Sequence, residues 1–154
     1  MTPAISVLDR AGVAYRIHEY ERGEELRDFG REAADALGFP TEQVFKTLVV
    51  AGDVGLAVAV IPVSCQLSLK SVAAVFGWKR ATMADPAAAQ RSTGYVVGGI
   101  SPIGQKRALP TVVDETAGLF ETVYVSGGRR GLDIELSPAD LVDVLGATTA
   151  DISG

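Results

Sequence analysis

The chain has one cysteine, Cys65, and one histidine, His18, in 154 residues. A single cysteine excludes an intrachain disulfide framework and a cysteine-based zinc cluster. A single histidine leaves one candidate for any Ser-His-Asp or Cys-His mechanism. His18 lies in the alternating run over residues 15–20, with nothing like a nucleophile elbow nearby, and a lone strand histidine is more often packed or surface than catalytic. No HExxH, CxxC, Walker lysine loop or EF-hand pattern occurs. No carboxylate spacing supports a metal, so no cofactor is expected. Apolar runs stay well short of the ~20 residues a membrane-spanning helix needs, and the start Met1-Thr2-Pro3-Ala4 lacks the pattern of a secretory signal. The expectation is a cytoplasmic chain with no membrane partner. A net charge of −5 argues against an autonomous nucleic-acid binder, and DNA is not an expected partner.

What charge there is lies unevenly. Residues 1–64 carry a net −4, residues 65–131 a net +4, and residues 132–154 a net −5. The positive middle surrounds the most informative stretch, residues 94–107, where four glycines and Pro102 interrupt an otherwise apolar segment. Such a segment pairs poorly as a strand. Glycine lets backbone approach a ligand closely, and turned backbone amides make a cradle for an oxyanion or phosphate. Lys106 and Arg107 follow, in keeping with a negatively charged guest. A hairpin loop with a bulge is the plain structural alternative, and solvated surface charge is the plain reading of the basic middle.

The length fits one domain, residues 1–154, with a sizeable core. Thr2-Pro3 reads as an N-cap with proline at the first helical position, and the helix ends at Gly12. Residues 15–20 read as a strand, 21–28 as a charged connection, and 29–37 as a helix stopped by Gly38. Two apolar strands, 44–51 and 56–62, flank the hairpin signal Gly52-Asp53-Val54-Gly55. Ser68 caps a helix ending at Gly77, 79–83 is a short strand, and Asp85-Pro86 opens a helix ending at Gly94. Beyond the glycine-rich stretch come a strand over 111–114, a helical turn near Ala117 and a strand over 122–126. Gly127 to Gly131 then turns into a strand over 132–136, and Ser137-Pro138 starts a last helix. The fold class is α/β (α+β): a mixed, largely antiparallel sheet curved by its glycines, with helices packed outside.

Two charged residues stand where charge is disfavoured. Lys46 opens the apolar strand Thr47-Leu48-Val49-Val50 and is the only basic residue between Arg31 and Lys70. It can place a point charge on a phosphate or carbonyl oxygen, or simply snorkel at a strand end. Asp133 interrupts Leu132-Asp133-Ile134, where a carboxylate needs a partner. Arg129, Arg130 or Lys46 would supply one, and a structural ion pair is the competing account. Ser101 can hydrogen-bond a ligand but has no adjacent base.

A set of ordered motifs then takes on a familiar form. These are Phe45-Lys46-Thr47-Leu48; Ala84-Asp85-Pro86 with Gln90-Arg91-Ser92-Thr93-Gly94-Tyr95; Gly98-Gly99-Ile100-Ser101-Pro102-Ile103-Gly104; Tyr124-Val125-Ser126-Gly127-Gly128; and Gly131-Leu132-Asp133-Ile134. Over essentially the whole chain they closely resemble the YbaK/EbsC family of aminoacyl-tRNA deacylases, its free-standing branch more than the editing insertion of prolyl-tRNA synthetases. The resemblance implies a mixed, partly closed sheet with surrounding helices. It also implies a trans-editing enzyme that removes cysteine from mischarged Cys-tRNA(Pro) and from Cys-tRNA(Cys). The family's essential lysine falls on Lys46. Its GxxxP loop falls on Gly98, Gly99, Ile100, Ser101 and Pro102, whose backbone amides would contact the ester. Tyr20, Ser126 and Asp133 match substrate-pocket positions.

The resemblance further implies that the cysteinyl thiol attacks its own ester, so that the protein supplies positioning and oxyanion stabilisation in place of a triad. Its implied partners are the acceptor end of aminoacyl-tRNA and prolyl-tRNA synthetase, which would supply tRNA selectivity to an acidic enzyme. Lys106 and Arg107 become peripheral RNA contacts, and Cys65, expected near the pocket, would tune the accepted side chain. The alternatives are a deacylase for alanine or serine using a positioned water, a non-catalytic module that binds aminoacyl-tRNA or a synthetase, and a small-anion binder.

Overall fold

The computed structural model describes residues 1–21 and 29–154, so the connection expected over residues 21–28 falls, beyond Glu21, outside the described residues. Helix α1 (Pro3–Ala11) begins where the Thr2 hydroxyl accepts the Ile5 N–H and Pro3 fills the first turn, and it ends at Gly12, left-handed at φ +68°. Helix α3 (Leu69–Phe76) and helix α5 (Pro138–Leu145) repeat the device, with Ser68 accepting from Ser71 N–H and Ser137 from Asp140 N–H. Such caps stabilise a helix by about 1 kcal/mol each. Helix α2 spans Phe29–Leu37, and helix α4 spans Pro86–Thr93. Asp85, expected to cap α4, makes no side-chain cap bond, and Pro86 alone sets that start.

Strands β2 (Phe45–Gly52) and β3 (Gly55–Pro62) form the expected hairpin, closed across Gly52 and Gly55. Strand β4 (Thr82–Met83) is shorter than the five residues expected and pairs with β2 at Val50 and Ala51. Strand β5 (Thr111–Asp114) lies parallel to β3, and strand β8 (Thr148–Ala150), not anticipated, lies parallel to β5. Together these make a five-stranded sheet ordered β4-β2-β3-β5-β8. A separate three-stranded antiparallel sheet, ordered β1-β7-β6, contains β1 (Arg16–Glu19), β7 (Leu132–Leu136) and β6 (Val123–Arg129). Strand β6 runs further than expected: Gly127 and Gly128 form a bulge inside it, and the tight turn is Arg130-Gly131.

The two sheets touch through a parallel bridge between Val44 and Tyr124, with Tyr124 N–H donating to the Gln43 carbonyl at 3.1 Å. Neither sheet closes on itself among the described residues. The main core lies between them, where Phe45, Val58, Val60 and Val113 meet Val123, Val125, Leu132, Ile134 and Leu136 under α1 and α5. The opposite face of the larger sheet is sealed by α3 through Val72 against Val50, Ala57, Ala59 and Ile61.

Candidate active site

The cavity exists because one edge of β2 is only half covered. Strand β3 pairs along all of β2, whereas β4 reaches only Val50 and Ala51, with Ala84 N–H donating to the Val49 carbonyl at 3.0 Å. Backbone facing alternates along a strand, so the Thr47 N–H and C=O point to the same side as that carbonyl, past the end of β4. Residues 44–49 therefore line a cavity of about 340 Å³. Its second wall is Met83 of β4, Ala84 just after it, and Pro86 and Ala89 of α4; its third is Val97, Gly98 and Ile100 of the glycine-rich loop. Phe29 and Ala33 of α2 close one side, and Ser126 and Asp133 of the smaller sheet, with Tyr20 just after β1, close the floor.

Six of the nine residues expected at the site thus share one cavity: Tyr20, Lys46, Gly98, Ile100, Ser126 and Asp133. Gly99, Ser101 and Pro102 stand behind the wall. Ser101 is fully buried, and its hydroxyl accepts the Ile103 N–H at 3.2 Å, so it holds the loop rather than facing a ligand. A Cβ on Gly99 would lie 2.6 Å from the Arg129 Cα, so this glycine is required by the approach of the β6–β7 turn. Gly98 has φ +98° and its added Cβ would meet the Phe29 ring at 3.2 Å. The loop is therefore neither a hairpin nor a set of strands: Tyr95 donates its hydroxyl to the Ile103 carbonyl at 2.6 Å and Gln105 binds the Ser101 carbonyl at 3.0 Å, folding the segment on itself. The Gly99 N–H is used internally by the Val96 carbonyl, while the Gly98 and Ile100 N–H groups have no protein acceptor among the described residues.

Two ionisable side chains meet the cavity without an ion-pair partner among the described residues. Lys46 is half-buried, and its ammonium has no ion-pair or hydrogen-bond partner among the described residues. Asp133 is 4% exposed and also has no partner there, and burial pushes its pKa up to about 7. The structural ion pair considered for Asp133 is not formed. Arg129 turns to Glu19 at 3.1 Å, and Arg130 makes a bidentate pair with Glu32 at 2.6 and 2.8 Å. The β6–β7 register puts Ser126 directly across from Asp133, and Ser126 Oγ accepts the Gly128 N–H at 3.2 Å. Burial, with the nearby Asp133 charge, raises the Tyr20 pKa, so that hydroxyl stays protonated. The Thr47 hydroxyl is buried with no hydrogen-bond partner among the described residues.

His18 sits across from Asp133 on β1 but contacts Glu135 at 2.8 Å and packs edge-on against Phe39, the packed role expected of it. Cys65 does not line the cavity and follows β3 in a turn closed by its N–H on the Pro62 carbonyl, which corrects its expected place near the pocket. Phe29, Thr47, Met83, Pro86 and Ala89 are site residues that sequence reasoning missed. An apolar wall reads like core in sequence, and only the orphaned Thr47 hydroxyl beside Lys46 carries a chemical signal. The lining holds no histidine and no cysteine, and the described residues contain no cluster of three metal-ligating side chains. Such a cavity can orient a small, partly apolar group bearing opposite charges, and polarise it.

A family described as the aminoacyl-tRNA editing domain matches residues 24–144. The chain is 35% identical over 153 residues to EbsC of Enterococcus faecalis, provisionally assigned as a Cys-tRNA(Pro)/Cys-tRNA(Cys) deacylase, covering 99% of this chain and 93% of that protein. It superposes on the crystal structure of a provisionally assigned trans-editing enzyme for prolyl tRNA synthetase with a TM-score of 0.87, at 25% identity over 99% of this chain and 95% of the other. A hypothetical protein of known structure matches with the same TM-score at 29% identity, over 99% of both chains.

Proposed function

The chain belongs to the aminoacyl-tRNA editing domain family, and on that premise we propose that it is a free-standing deacylase that removes cysteine from Cys-tRNA(Pro) and Cys-tRNA(Cys). The observation that carries this reading is the pair of unneutralised charges, Lys46 and Asp133, facing a cavity that contains no histidine or cysteine. An aminoacyl ester brings the complementary groups, a carbonyl oxygen that gains charge during acyl transfer and an α-ammonium.

Lys46 directs its positive charge to that oxygen, aided by the Gly98 and Ile100 N–H groups of the loop. Asp133 takes the α-ammonium, whose charge compensates a carboxylate otherwise buried alone. Tyr20 and Ser126 offer hydroxyls at the same end, and the Thr47 hydroxyl and backbone hydrogen-bond the acyl group along the open edge of β2. The substrate's thiol is the nucleophile. Its sulfur bonds to the carbonyl carbon, the ester C–O bond breaks, and the ribose hydroxyl leaves with the thiol proton, releasing a cysteine thiolactone. Positioning and one oxyanion donor suffice for substantial rate, since losing such a donor costs ~2.7–4 kcal/mol in other enzymes. With a net charge of −5, the enzyme takes its tRNA choice from a complex with prolyl-tRNA synthetase. Product analysis from Cys-tRNA(Pro) tests the chemistry: thiolactone supports thiol attack, and free cysteine as the first-formed product refutes it in favour of a water. Turnover of Ala- or Ser-tRNA(Pro) in preference to Cys-tRNA(Pro) refutes the specificity.

A further inference from the structure

We propose that the RNA strand carrying the ester leaves the cavity over the C-terminal end of α4, where Arg91, Lys106 and Arg107 hold its phosphates; this rests on the aminoacyl-tRNA reading above. Two hydrogen bonds assemble the patch. Lys106 N–H donates to the Thr93 carbonyl at 2.8 Å and Arg107 N–H to the Ser92 carbonyl at 3.0 Å, which fastens the end of the glycine-rich loop onto the last turn of α4 beside Arg91. All three side chains are exposed, and none has a carboxylate partner among the described residues. A helix C-terminus favours a cation, and Arg91 alone meets that need; Lys106 and Arg107 arrive from another segment.

The same helix reaches the cavity. Pro86 and Ala89 line it, and Gln90 Oε1 accepts the N–H of Val97, another lining residue, at 2.9 Å. At ~1.5 Å per residue, cavity and patch are separated by no more than the length of this short helix. Val96 and Val97 of the same loop, the second at the cavity itself, stand 72% and 44% exposed, an apolar surface that a ribose or base can cover. The β6–β7 turn offers a polyanion less, because Arg129 and Arg130 are already paired with Glu19 and Glu32.

The test compares wild type with the triple variant Arg91→Glu/Lys106→Glu/Arg107→Glu and with the milder triple glutamine variant. Lys70→Glu, an exposed cation on α3, is the charge control. Binding of an uncharged acceptor-stem RNA is measured against salt, and deacylation kinetics are measured on Cys-tRNA(Pro) and on cysteinyl-adenosine. The expected result is an RNA affinity at least about tenfold weaker, with a log–log salt slope shallower by about two, given ~0.7–0.9 per phosphate contact. KM rises for the tRNA and stays constant for the adenosine ester, and the glutamine triple shifts in the same direction. Wild-type affinity and slope in the triple variants, or an equal loss in Lys70→Glu, overturns the proposal. Failure of wild type to cleave either ester refutes the deacylase reading instead, and the RNA-binding measurements still decide the docking surface.

Discussion

Lys46 on β2 and Asp133 on β7 face one cavity from two different sheets, and neither neutralises the other or is neutralised by a neighbour among the described residues. Opposite charges left apart inside a protein raise its free energy unless a guest completes them. The pair matches the guest proposed above, positive at one end and oxygen-rich at the other.

Lys46→Ala should lower kcat/KM for Cys-tRNA(Pro) deacylation by about 10²–10³, the range for an oxyanion donor. Cys65→Ala, outside the cavity, should retain activity. Steady-state deacylation of both variants checks this, and the reverse pattern would sink the mechanism.

Asp133→Asn should separate stability from activity. The carboxyl ionises near 3.8 in the unfolded chain and at about 7 in the folded one. The folded state therefore loses stability as pH rises through that window, by up to ~1.4 kcal/mol per pH unit. The asparagine variant should be the more stable protein at pH 8 and the two should converge toward pH 4, as read from urea unfolding. On the proposed role of the ionised form in holding the α-ammonium, kcat/KM should rise through about pH 7 in wild type. In the variant it should be low, without that contribution to the profile.

Gly99→Ala should unfold at lower denaturant, by about 1–3 kcal/mol of overpacking, because its Cβ would meet the Arg129 and Arg130 backbone at 2.6 and 2.8 Å. Gly118→Ala, with nothing within 4 Å of the added carbon, is the matched neutral substitution.

Thr47→Val should leave stability unchanged or raise it by about 1 kcal/mol, since it removes a hydroxyl that is buried unpaired. If that hydroxyl meets the acyl group, KM rises at the same time. An unchanged KM assigns Thr47 to packing alone.

Local signals were legible along the chain. Hydroxyl-then-proline starts at Thr2 and Ser137, glycine stops at Gly12, Gly77 and Gly146, and the Gly52–Gly55 hairpin all fold as written. What escaped was non-local. Strand β8 is three residues whose pairing partner lies over thirty positions away, with no alternation of its own. The division into two sheets rests on register between distant strands. At the site, Lys46 and Asp133 were legible because each violates an apolar run. Ser101 misled for the opposite reason: a hydroxyl among glycines looks like a ligand contact, yet it serves its own loop. The apolar wall from Phe29 to Ala89 was silent, since burial against a substrate and burial against a core leave the same residues in sequence.

The seam between the sheets has a consequence for how such an enzyme changes its diet. Lys46 and Asp133 ride on separate sheets joined, among the described residues, by the Val44–Tyr124 backbone bridge, and their spacing is otherwise set by side chains such as Val125, Ile134 and Phe45. The calibre of the cavity is thus governed by interior volume rather than by any ladder of hydrogen bonds. One methylene added or removed in that layer would regauge which guest fits, while Lys46 and Asp133 each kept their own strand. Selectivity can drift here through the hidden interior, leaving the chemistry where it was.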